Sequence, residues 1–154
     1  MPVIHFETFN HALRQRVFDV NLDVDAHAAA FAATGERAVG GVTHGLLSLG
    51  DTVTWEAVHF GVRQRLATRI THYDRPHAFR DEMTAGAFHS FQHDHTFTEA
   101  DGGTLMVDHF AYTAPLGMLG VLADRLFLRR YVQRLLMQRA GFIKMLAERA
   151  SQPA

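Results

Sequence analysis

A chain of 154 residues, nearly half of them apolar, has room for one domain with one substantial core, and its formal charge of −1 excludes a disordered chain and a globally basic nucleic-acid binder. The absence of cysteine excludes disulfides, thiolate catalysis and thiolate-ligated metal, which makes the cytoplasm the expected compartment. The start "MPVIHFETF" has neither the basic residues nor the apolar run of a signal peptide, and Asp124 interrupts the most apolar later stretch before it could cross a bilayer.

Residues 3–9 mix apolar and polar side chains as a strand does, and from Ala12 to about Ala33 the period changes to that of two short helices. "ATGERAVGG" follows, with Gly40 and Gly41 expected to form a strand bulge. "DTVTWEAVHFGVRQRLATRITHYDRP" reads as a hairpin turning at Phe60-Gly61 and closed by a proline turn. "AFRDEMTAG" and "FHSFQHDHTF" are further strands, "EADGG" is a turn, and "TLMVDHFAYTAP" is the last strand. Thereafter Leu128, Tyr131, Val132, Leu135, Phe142, Ile143 and Leu146 share one helical stripe, so a long helix is expected to begin between Pro115 and Leu119 and to run to about Arg149. Neither a repeat nor a linker divides the chain, which is expected to form a single domain over residues 1–154. The order predicts an α+β domain whose helix lies across one face of a curved antiparallel sheet, with a cavity between them as the natural place for a ligand.

Taken together, "GDTVTWEAVHFGV", "THYDRP", "FRDEM", "FQHDHTF" and "DGGTLMVDHFAYTAPLGMLG" ahead of a basic helix resemble the START-like SRPBCC superfamily, in particular its polyketide cyclase/dehydrase-like branch. The resemblance spans residues 3–150 and implies the helix-grip fold, a curved antiparallel sheet of about seven strands wrapped around the long carboxyl-terminal helix. It also implies an apolar pocket for lipids, polyketides, quinones or other hydrophobic small molecules. One departure is that Gly86-Ala87-Phe88 stands where the family has Gly-Pro-Phe. Such membership fixes a style of binding and not a reaction.

Alternation in "FHSFQHDHTF" puts His89, Phe91, His93, His95 and Phe97 on one face, and the phenylalanines make it the inner one. On the next strand either Met106, Asp108, Phe110 and Tyr112 or Leu105, Val107, His109 and Ala111 face inward, and the resemblance favours the first set. A bulged turn at Gly102-Gly103 would set His95 opposite Asp108, whereas a slip of one residue would pair His93 with His109. A carboxylate beside a buried imidazole suits acid/base chemistry, and its plainer role is a satisfied polar pair that holds two strands in register. Asp81, alternating with Phe79 and Met83, is a candidate for the same wall, and Trp55 with His59 suits a pocket mouth. His93 and His95 have the spacing of two zinc ligands, with Asp108 or His109 as a third. However, the chain has no helical His-Glu-x-x-His, and its eleven histidines make a chance cluster easy, so neither metal nor cofactor is expected.

The terminal helix carries Arg125, Arg129, Arg130, Arg134, Arg139, Lys144 and Arg149, read as a solvated face or as a surface for transient contact with an anionic membrane; nucleic acid is not expected. The leading expectation is a carrier or sensor of a hydrophobic small molecule, with no obligate protein partner. Its ligand-binding set is Trp55, His59, Asp81, Phe91, His93, His95, Phe97, Asp108, Phe110 and Tyr112. The alternative is a cyclase or dehydratase in which His95 and Asp108 move a proton on a poly-carbonyl substrate. A third reading, a protein-interaction module using the basic helix, requires a small or filled cavity.

Overall fold

Strand β1 (Val3–Asn10) leads into two short helices, α1 (Arg14–Asn21) and α2 (Val24–Ala30), in the computed structural model, which describes residues 1–149. Six strands follow in sequence: β2 (Arg37–Gly41), β3 (Thr52–His59), β4 (Val62–Asp74), β5 (Ala78–Ala85), β6 (Ser90–Ala100) and β7 (Gly103–Thr113). Helix α3 (Gly117–Ala123), one π-helical turn (Asp124–Leu128) and α4 (Arg129–Arg149) complete the fold; residues 150–154 of the expected domain lie outside the described residues.

All neighbouring strands pair antiparallel, in the order β1-β7-β6-β5-β4-β3-β2, so the six later strands form a meander and β1 joins its far edge. This is the helix-grip architecture. Two-residue turns set the registers that matter. Phe60-Gly61 and Asp101-Gly102 have positive φ at both positions, the backbone that matches the twist of a tight hairpin. The second turn carries no bulge, yet it gives the expected register, with His95 opposite Asp108. A bulge does occur between Ala38 and Gly40 on β2.

Two apolar groups fix the helices on the concave face. Phe18 of α1 packs edge-on against Phe79 and Phe97 and reaches Ala140 and Ala147 of α4. Further along, Phe91, Phe110 and Tyr112 meet Val132. Tyr112 donates its hydroxyl hydrogen to the buried carboxylate of Asp124, and Arg129 donates to the same carboxylate at 2.8 Å, which fastens the start of the helix to the end of β7. Between the two apolar groups, sheet and helix stand apart.

Candidate functional site

That gap is a cavity of about 350 Å³, bounded by the inner faces of β3 to β7, by α2 and by the inner stripe of α4. Phe91, Phe110, Leu128, Val132 and Leu136 wall one part and Val24, Phe31 and Trp55 another. Polar groups on the wall join into a chain. Asp81 and His93 face the cavity, and Arg139 of α4 lies close enough to Asp81 to stabilise its charge. Arg139 donates to the carbonyl of Asn21 at 3.0 Å and from Nε to His27 Nδ1 at 3.2 Å. His27 in turn stacks on Trp55 with ring centres 4.1 Å apart and places Nε2 3.1 Å from Glu36.

The strand pairing explains how the carboxylates and imidazoles meet. Asp81 lies opposite His93 across β5 and β6, and Asp108 lies opposite His95 across β6 and β7, so four side chains of three adjacent strands share one inner patch. His93 Nε2 is 2.9 Å from Asp108 Oδ1 in a buried hydrogen bond, and His95 Nε2 is 3.1 Å from Asp81 Oδ1. His95 Nδ1 also lies 3.1 Å from Asp108 Oδ1, an ion-pair approach without hydrogen-bond alignment. The side chains of His95 and Asp108 are each 1% exposed, whereas Asp81 retains 21%.

Their protonation follows from burial and partners. Burial works against a charged His95, but the close Asp108 carboxylate and the hydrogen bond and charge of Asp81 outweigh it and raise its pKa above the ordinary histidine value. For His93, burial and the adjacent His95 charge outweigh the help of Asp108, and its pKa falls. Burial works against charge on Asp108 as well, yet both histidines hold it far below the usual carboxylate range; Asp81 is lowered for the same reasons. The patch therefore sets the imidazole that binds a proton more readily, His95, between two carboxylates and beside one that binds it less readily, His93, an arrangement able to anchor a polar group or relay a proton.

Of the sequence-predicted set, Trp55, His59, Asp81, Phe91, His93 and Phe110 line the cavity. His95 and Asp108 stand one layer behind it and reach it through Asp81 and His93. Phe97 is in the closed core under Phe18, and Tyr112 turns to Asp124, so neither is part of the wall. Alternation selects the face of a strand but not the point along it where the overlying helix lifts away. His89 precedes β6 and is exposed, and His109 is on the outer face, its ring 5.9 Å from that of His5. His59 Nδ1 is 2.6 Å from the Tyr131 hydroxyl at the mouth, where burial lowers its pKa.

Arg139 departs from the reading of a wholly solvated basic face, for it is 6% exposed and points into the cavity. The stripe carried the signal. Arg139 falls seven residues after Val132 and four before Ile143, which is an inward position. His27 and Glu36 gave no comparable signal, because α2 and the segment before β2 are too short for a period to show.

No family model and no curated protein matches the sequence. Solved structures do match. TTHA0849 from Thermus thermophilus has a TM-score of 0.79 at 18% identity, covering 98% of this chain and 100% of that one. The di-domain ARO/CYC StfQ from the steffimycin biosynthetic pathway has a TM-score of 0.75 at 15% identity, covering 97% of this chain and 52% of StfQ. Ginseng major latex-like protein 151 from Panax ginseng has a TM-score of 0.67 at 13% identity, covering 95% of this chain and 97% of that one. This chain therefore has the helix-grip fold common to these proteins.

Proposed function

We propose that the protein encloses a hydrophobic small molecule carrying one polar group, as a carrier or sensor. The observation that carries this reading is the cavity itself: about 350 Å³, within the range of small-molecule sites, with largely apolar walls and Asp81, His93 and Arg139 converging on it. An interaction module with a filled interior does not account for such a space. A lipid, polyketide or quinone is the expected chemical type, its apolar body against Phe91 and Phe110 and its polar group toward Asp81 and His93. The absence of cysteine suits a reducing cytoplasm.

A second reading, cyclase or dehydratase chemistry, has one observation in its favour. Asp81 and His93 present a relay backed by His95 and Asp108 to whatever occupies the cavity. The StfQ structure is of an ARO/CYC protein on the same fold.

Delivery from a membrane fits the mouth. Leu116, Met118 and Leu119 are 71–90% exposed, Phe127 meets Phe60 of the β3–β4 turn at 5.5 Å, and Arg125, Arg129 and Arg130 flank them on the surface. Among the described residues no helix is long and apolar enough to cross a bilayer.

Native mass spectrometry of the purified protein, followed by organic extraction, tests the main reading. A defined small molecule bound one per chain is expected. Protein that carries none, and that fails to bind an apolar fluorescent dye at micromolar concentration, would overturn it.

A further inference from the structure

We propose that Asp81, His93 and His95 form a binding site for a first-row divalent transition metal ion in the cavity wall. One ligand atom from each of the three lies within 4.8 Å of the other two. His95 Nε2 and Asp81 Oδ1 are 3.1 Å apart. Bonds of about 2.1 Å meeting near a right angle place two ligand atoms about 3.0 Å apart, so this pair already has the spacing that such an ion requires.

Asp108 supplies the second argument. Its Oδ1 accepts from His93 Nε2 and lies 3.1 Å from His95 Nδ1, so one carboxylate oxygen stands behind both rings. The lone pair of His93 then falls on Nδ1, and an ion displacing the proton between His95 Nε2 and Asp81 would meet the Nε2 lone pair; an outer carboxylate beside ligating histidines is a common companion of a metal ion. Among the described residues Asp108 is the only hydrogen-bond partner of the His93 ring, which leaves its other ring nitrogen available.

Charge supplies the third. Asp81 and Asp108 carry −2 and the nearby Arg139 +1, so a divalent ion between neutral imidazoles leaves one positive charge, which an anionic group of the cavity ligand would match. The ion takes the place of the proton between His95 and Asp81 and releases it to solvent. Two imidazoles and one carboxylate favour iron(II), zinc or cobalt(II) over calcium or magnesium, and leave coordination positions for a polar group of the cavity ligand. The inference does not depend on the identity of that ligand.

Titration of chelator-treated, full-length protein with Co²⁺, followed by visible absorption and calorimetry, tests the site. One ion per chain is expected, with roughly micromolar affinity or tighter and visible d–d bands. His93→Ala and Asp81→Asn should each weaken binding at least about tenfold, and Asp108→Asn, which removes no ligand, about 10- to 100-fold. Circular dichroism establishes that each variant is folded. Should His95→Ala fail to fold, His93→Ala and Asp81→Asn, both on the cavity surface, carry the test. Folded wild-type protein that binds Co²⁺ no tighter than millimolar overturns the proposal, as does one bound ion whose affinity neither variant changes.

Discussion

His95 stands directly across the β6–β7 hairpin from Asp108, its Nδ1 3.1 Å from Oδ1, with both side chains 1% exposed. Asp108 also accepts from His93, so one carboxylate serves two imidazoles. Replacing it leaves two buried rings short of a partner. Asp108→Ala should therefore cost about 2–4 kcal/mol in urea unfolding. Asp94→Ala is the matched control, since Asp94 pairs with the half-exposed Arg80 on the other face of β6, and it should cost under about 1 kcal/mol. Equal losses from the two would remove the distinction between inner and outer pairs.

Cavity and closed core make opposite demands on their phenylalanines. Phe91 and Phe110 face the cavity with ring centres 5.0 Å apart, while Phe97 is 2% exposed beneath Phe18. Phe97→Ala should cost about 3–5 kcal/mol of stability and leave the affinity of the folded protein for an apolar dye within about twofold. Phe91→Ala should lower that affinity about tenfold at a smaller cost in stability, because part of its surface already lacks a packed neighbour. Dye titration and denaturation of both variants check the pairing of effects; a reversed pattern would place the binding site elsewhere.

The inner face of β6 is legible in the sequence because it rests on local chemistry, a period of two; its register against β7 is not, since a turn read at Gly102-Gly103 allows two pairings and the resemblance selects the observed one, whose turn is Asp101-Gly102. The helical stripe from Leu128 to Leu146 is legible, as that face is, by its period. Position along the strand is not, since it depends on where helix and sheet part, and for that reason alternation alone assigns Phe97 and Tyr112 to the wall. Asp81 is a candidate by alternation only. Its approach to His95 follows from a diagonal across β5 and β6, and β4–β5 pairing contains two irregularities that no local pattern announces. Arg139 is legible in principle, but a charge among so many basic neighbours reads as surface.

Tyr112 gives a pH dependence with a definite sign. Burial and the hydrogen bond to Asp124 raise its pKa above the ordinary tyrosine value near 10, so the folded protein holds the hydroxyl neutral where the unfolded chain has begun to ionise it. Its contribution is complete below about pH 10 and declines as the pH rises above that. Tyr112→Phe should cost about 1–2 kcal/mol at neutral pH, where it removes a donor from the buried Asp124, and the difference from wild type should shrink above about pH 10. Unfolding curves at about pH 7 and about pH 10.5 measure it, and a difference that grows with pH would contradict the assigned direction.

The end of β2 leads to the last prediction, read through the single tryptophan. Gly41 has φ of 69°, and a Cβ there would lie 2.1 Å from the carbonyl oxygen of Thr52, too close for any side-chain rotation to relieve. Gly41→Ala must displace the start of β3, three residues before Trp55, which is 5% exposed and stacked on His27 at the cavity wall. The strain should cost more than about 1 kcal/mol. Because Trp55 is the sole tryptophan, its emission reports this wall without labelling. Native wild-type protein should show little quenching by iodide and a change in emission when an apolar ligand enters, whereas Gly41→Ala should show a red-shifted, more quenchable Trp55 while still folded. Unaltered emission in a stable Gly41→Ala variant would mean that β2 does not hold Trp55 in place.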